Sequence, residues 1–157
     1  MRKKIIDPVQ QQQQSSERDW LDIEQLADIE ISSEDDAYPI ESALLPSIAS
    51  SWRASGPGEQ TIRLIFKQPQ KLKLIRLSFE ESSIERTQEY VLRWSPDDGK
   101  SYQEIVRQQW NFNPHGSTRE TEEYQVDLPA VTVLELVINP DITGKNAVAS
   151  LDQLRLS

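Results

Sequence analysis

Hydrophobic and polar positions alternate with period two along much of the chain, and residues 86–110 carry the clearest stretch. Gln88, Tyr90, Leu92 and Trp94 share one face of a predicted strand, while Thr87, Glu89, Val91 and Arg93 share the other. That mixture of aromatic and β-branched residues fits a half-buried strand. Pro96-Asp97-Asp98-Gly99 follows. It supplies a fixed φ, two side chains that bond back to backbone, and a residue that tolerates positive φ. Tyr102 to Trp110 returns as the partner, so the segment predicts a β-hairpin.

The same period recurs elsewhere. Ile29 and Ile31 alternate with acids, and Thr61 to Lys67 places Ile62, Leu64 and Phe66 inward. After a turn at Gln68-Pro69-Gln70, Leu72 and Leu74 take one face but Ile75, Leu77 and Phe79 the other, which predicts a bulge or a strand changing sheets. Tyr124, Val126 and Leu128 point inward, Pro129 breaks the run, and Val131 to Ile138 is apolar on nearly both faces, as in a central strand. Leu151, Leu154 and Leu156 close the chain with another phase slip. Seven or eight short strands at regular spacing, with no internal repeat, predict a β-sandwich. Upstream, Ser16 before Glu17, Asp19 and Trp20 predicts either a short helix to about Ala27 or an extended arm on the sandwich.

Composition narrows the class. The 157 residues suit one domain with a real core, although apolar residues are only 36% and mean hydropathy is −0.62. The absence of cysteine excludes disulfides and thiolate metal sites and suits a reducing compartment. MRKKII begins like a basic leader, but Asp7, Pro8 and a glutamine run replace the apolar segment a leader needs. With no apolar run of membrane-spanning length, the expectation is a cytoplasmic protein. Residues 1–16 read as a disordered, glutamine-rich tail and 17–157 as one domain. The net charge of −9 is concentrated: residues 17–41 hold ten acids against Arg18 alone. The remaining body is nearly neutral and has no basic stripe, so nucleic acid is not an expected partner.

Taken in order, ADIEISSE (27–34), YPIESAL (38–44) and SSWRAS (50–55) resemble the opening of the discoidin, or coagulation-factor C-type, domain of the galactose-binding-like superfamily. Gln60 to Phe66, Pro69 and Leu72 to Leu77 resemble its strand-proline-strand segment. Tyr90 to Tyr102 resembles its strand running into Ser-x-Asp-Gly and an aromatic, and ASLDQLRLS its closing strand. The chain is also similar to a bacterial group described as carbohydrate-binding proteins. The resemblance implies an all-β, eight-stranded antiparallel jelly-roll sandwich that binds sugars, lipid head groups or proteins without catalysis. Sugar-binding relatives often hold a structural calcium through an Asp-Gly segment and a last-strand glutamate. Here those positions read Leu45-Pro46-Ser47 and Gln153, so no cofactor is expected.

If each strand crosses the sandwich and reverses, the tight turns 68–71, 96–101 and 128–131 lie at one end. The longer connections 53–59, 80–86, 110–119 and 140–147 gather at the other, with Glu80, Glu81, Arg119 and Asp141 among their residues. Sugar recognition requires an aromatic face against C–H groups and planar polar groups that pair with hydroxyls. The candidate binding residues are therefore Arg53, Arg86, Trp110, Asn111, Phe112 and His115, with Trp110 as the stacking surface. Each has a structural alternative. Trp110 ends a strand and can cap the core, Phe112 can anchor its own loop, and the two arginines can pair with Glu80, Glu81 or Asp141. Trp94 and Trp52 belong to the core. Enzymatic constellations are absent: one histidine forms no visible triad, and Glu80-Glu81 point to opposite faces of a strand. The expected function is a non-catalytic carbohydrate-binding module, the alternative a protein-interaction module using the same loops or the acidic 17–41 segment.

Overall fold

The computed structural model describes residues 20–48 and 50–157, so the tail of residues 1–16 lies outside the described residues. In chain order the elements are α1 (Ile23–Leu26), β1 (Ala27–Ile31), α2 (Glu41–Leu44), β2 (Trp52–Pro57), β3 (Gln60–Glu80), β4 (Arg86–Ser95), β5 (Gln103–Phe112), β6 (Arg119–Asn139), β7 (Val148–Leu151) and β8 (Gln153–Leu156). One sheet has the order β1-β3-β6-β4-β5 with β8 also on β3, and β2 pairs with β7. Every strand pairing is antiparallel.

β3 and β6, each of 21 residues, run through both layers of the sandwich. Their register shifts between Ile65 and Leu74, where Pro69 and Pro129 interrupt the ladder. The buried set passes there from Ile62, Leu64 and Phe66 to Ile75, Leu77 and Phe79, which is the phase change visible in the sequence. Beyond the bend the two strands lie over β4. The Phe79 ring stacks on Tyr90 at 5.1 Å, and the Tyr90 hydroxyl meets that of Tyr124. The chain is thus an eight-stranded jelly-roll sandwich with its core between the layers.

Local chemistry explains the turns. In the β4–β5 hairpin Asp98 and Gly99 both take positive φ, 60° and 85°. Asp97 accepts hydrogen bonds from the Ser101 hydroxyl at 2.6 Å and from its backbone N–H at 2.8 Å. These bonds and that of Ser95 draw the Asp97 carboxyl down to about 2. Among the described residues at the N-terminal end, helix covers Ile23–Leu26 without a side-chain cap from Asp22, and the predicted cap at Ser16 lies outside the described residues. From Ala27 the chain is already laddered to Phe66. The helix ends where the sequence predicts, and alternating Ile29 and Ile31 pair better than they coil, so β1 begins at Ala27.

The outer face of the sheet carries a ladder of alternating sign. Glu30, Arg63, Glu135, Arg93 and Glu104 stand in register across five strands. Among the described residues no helix is long and apolar enough to cross a membrane.

Candidate functional site

The long connections meet at one end, joined by their own hydrogen bonds. Glu81 N–H donates to Thr118 O at 2.8 Å, Ile142 N–H to Thr87 O at 2.9 Å, and Gly58 N–H to Ala147 O at 3.2 Å. Lys145 Nζ reaches Glu85 O at 3.1 Å. A rim built this way holds side chains on a fixed frame rather than on free loops.

Beneath the rim lies a buried polar layer. Arg86, 1% exposed, donates from Nε to Glu81 at 2.8 Å and from Nη1 to Pro140 O at 2.9 Å. Burial pushes the Glu81 carboxyl up, but the Arg86 bond and the Ser83 and Ile84 amides outweigh it and hold the group below its ordinary value. Deeper in, Arg86 Nη2, Gln88 Nε2, Trp110 Nε1 and both oxygens of Glu120 are buried without a hydrogen-bond partner. Burial, together with the Glu122 charge, raises the Glu120 carboxyl to about 7.

The predicted binding residues separate in this arrangement. The prediction of a loop from residue 110 is corrected: β5 continues through Phe112 and pairs Gln88↔Trp110, Thr87↔Asn111 and Arg86↔Phe112. Strand alternation therefore turns Trp110 and Phe112 inward and Asn111 outward. Phe112 is fully buried, and Trp110 packs partly buried against the core. Asn111 accepts from the Thr87 hydroxyl at 2.8 Å on the outer sheet face. His115 is exposed in a tight turn that Asn113 Oδ1 holds through the His115 N–H at 2.9 Å. Arg53 is exposed on β2, its guanidinium 4.7 Å above the Tyr38 ring.

What the end offers a ligand is a polar cleft of about 350 Å³, lined by Ser50, Ser51, Glu80, Arg119, Asp152 and Gln153, with Ile48 at its edge. Arg119 Nη2 lies 2.8 Å from Glu80 Oε2 and 3.4 Å from Asp152 Oδ2, and Nη1 donates to Ser78 Oγ at 3.0 Å. Burial, with the neighbouring Glu80 charge, raises the Asp152 carboxyl although Arg119 and Arg53 pull it down. Glu80 and Arg119 are opposite partners at the ends of β3 and β6. Asp152 occupies the single residue between β7 and β8. The sequence signal for it is the phase slip between Leu151 and Leu154, a polar residue at a forced turn.

The family model for the XRCC1 N terminal domain matches residues 22–133. The chain belongs to the XRCC1 N terminal domain family. The matched stretch contains β1 to β5 and more than half of β6. No curated protein matches the sequence. Among solved structures, this XRCC1 N terminal domain chain is similar to the family 32 carbohydrate-binding module of NanJ from C. perfringens, in complex with galactose. There the TM-score is 0.65 and identity 14%, over 87% of this chain and 96% of that one. A second Clostridium perfringens module, in complex with GalNAc-β-1,3-galactose, gives a TM-score of 0.65 and 16% identity over 87% and 98% of the two chains. A pectin-binding module gives 0.62 and 14% over 84% and 90%. The likeness is one of fold, and it agrees with the discoidin-type, galactose-binding-like architecture.

Two acids of the first connection in this family member serve its own backbone. Glu34 accepts from Ile40 N–H at 2.9 Å and Asp35 from Ala37 N–H at 2.9 Å. Among the described residues no group of three or more His, Cys, Asp or Glu is arranged to hold a metal ion.

Proposed function

We propose that this domain is a non-catalytic carbohydrate-binding module that takes a sugar residue in the loop-end cleft. The observation that carries the reading is the placement of Arg119 between Glu80 and Asp152 at the mouth of the cleft. Charged groups fixed by one another offer hydrogen bonds of set direction, which is what orients a hydroxylated ring. Ser50, Ser51 and Gln153 add neutral donors and acceptors, and Ile48, 38% exposed, offers an apolar edge to C–H groups. Solved modules of like fold in complex with galactose and with GalNAc-β-1,3-galactose support the same ligand class. In this reading Arg86, Trp110 and Phe112 support the rim from inside, while Arg53 lies over Tyr38 and His115 sits in an exposed turn. A glycan array followed by calorimetry with galactose, N-acetylglucosamine and oligosaccharides tests it. Flat heats at millimolar sugar would overturn it.

A second reading has its own observation. Asp22, Glu24, Asp28, Glu30, Asp36 and Glu41 are all exposed along the acidic segment, which suits docking of a basic protein. Capture from lysate that disappears at high salt, without any response to sugar, would select that reading.

A further inference from the structure

We infer that the Arg119 cleft selects uncharged or amino-substituted sugars and discriminates against uronic acids. This rests on the carbohydrate reading above and concerns which hydrogen-bonding groups the cleft leaves free. A guanidinium has five N–H donors and no acceptor. Arg119 Nη2 donates to Glu80 at 2.8 Å and lies 3.4 Å from an Asp152 oxygen as an ion pair. One hydrogen of Nη1 is held by Ser78 Oγ at 3.0 Å. Its Nη1 and Nη2 are thus already engaged by Ser78 and Glu80, beside a second carboxylate, so an incoming carboxylate does not find that pair free for the bidentate contact arginine otherwise makes.

The carboxylates are differently placed. Each oxygen accepts more than one hydrogen bond, so Glu80 and Asp152 keep unused acceptor capacity after binding Arg119. Sugar hydroxyls and ammonium groups bring donors and meet that demand. A uronate brings a third negative charge to a site whose own balance of two acids and one base is already negative. Burial first, and then the neighbouring Glu80, raises the Asp152 carboxyl against the pull of Arg119 and Arg53. Arg53 does not line the cleft; its guanidinium lies 4.7 Å over the Tyr38 ring, from where it still draws the Asp152 carboxyl down.

Matched ligand pairs isolate the charge. Calorimetric or NMR titrations at pH 7 compare galactose with galacturonate and glucose with glucuronate, with galactosamine as the cationic member. Each uronate should bind at least about tenfold more weakly than its neutral partner, the scale of one unscreened like-charge contact. Galactosamine should bind at least as well as galactose. Because the effect is electrostatic, the gap should narrow at high salt. It should also narrow in the double variant Glu80→Gln/Asp152→Asn, whose circular dichroism and melting transition certify folding. Uronates binding as tightly as neutral sugars would overturn the inference and leave the carbohydrate reading standing, as would a gap that the double variant leaves unchanged. Binding by no sugar at all would overturn both.

Discussion

The guanidinium carbon of Arg86 lies 4.8 Å above the Phe112 ring, and the two residues are directly opposed across the β4–β5 ladder. Strand register therefore sets a cation on an aromatic face within the core, where water does not weaken the attraction. The same guanidinium bonds Glu81 and Pro140 O, so one side chain joins the 80–86 connection, the 140–147 connection and the end of β5. Replacing it removes a buried cation from three partners at once.

Arg86→Ala should destabilise the fold by about 3–5 kcal/mol, the usual cost of breaking a buried charge pair. Phe112→Ala should cost a similar amount, about 3–5 kcal/mol, by emptying a fully buried site. Because the residues touch, the double variant should cost less than the two single losses added together. Urea melts measure all three. A midpoint unchanged in Arg86→Ala would contradict the role assigned to the residue.

Glu120 sets the pH response. Its folded carboxyl is raised to about 7, well above the ordinary value of 4.5. The folded state thus holds a proton that the unfolded chain releases between those values. Stability should fall as pH rises from about 4.5 through 7, because the charged form must be accommodated in a buried site beside the Glu122 charge. Glu81, Asp97 and Asp141 have the opposite sign: their carboxyls are depressed, and their contribution is lost as pH falls below the ordinary carboxylate range. The melting temperature should therefore peak on the mildly acidic side of neutrality. Glu120→Gln should flatten the neutral limb and raise stability at pH 8 by about 1–3 kcal/mol, the cost of an unsatisfied buried group. A thermal melt series across pH, with the limb unchanged in the variant, would refute this.

The architecture was legible because alternation, proline breaks and turn chemistry all act locally. The slip between Leu72 and Leu77 announced the bend of β3, and Pro96 to Gly99 announced its turn. The site was less legible because strand ends do not announce themselves. Trp110, Asn111 and Phe112 read as a polar-aromatic loop, yet pairing with Gln88, Thr87 and Arg86 extends β5 through them and turns both rings inward. Glu80 and Arg119 were visible as rim residues, but their opposition depends on the register of two strands separated by the whole hairpin. Asp152 joins them only through tertiary structure. A partner distant in sequence leaves no periodic trace.

On the outer face, Glu135 is 1% exposed yet bonds Arg63 Nε at 2.7 Å and Arg93 on its other side. Both arginines are themselves partly exposed, so they regain water when the carboxylate goes. Glu135→Ala should therefore cost about 2–3 kcal/mol, in the range of hydrogen bonds to charged groups. High salt should change little of it, because the carboxylate itself is buried. Chemical denaturation in urea at low and high salt provides the measurement. A loss that vanishes with salt would place the ladder among ordinary surface ion pairs.

Arg119 separates binding from folding. Its side chain is 55% exposed and its Glu80 partner 47%, so the pair belongs to the class worth about 0–1 kcal/mol. Arg119→Ala should leave the urea midpoint within that margin. If the cleft takes the sugar, the same change should remove the calorimetric signal, because Glu80 and Asp152 lose the cation that holds them in place. His115→Ala, at the exposed turn, should reduce affinity by less than a factor of about three, a few tenths of a kcal/mol. Measured together, midpoint and affinity identify the residue that orients the ligand: affinity lost at Arg119 with the midpoint held supports the cleft. Affinity lost instead at His115, with Arg119→Ala still binding, would move the site onto the 113–117 turn.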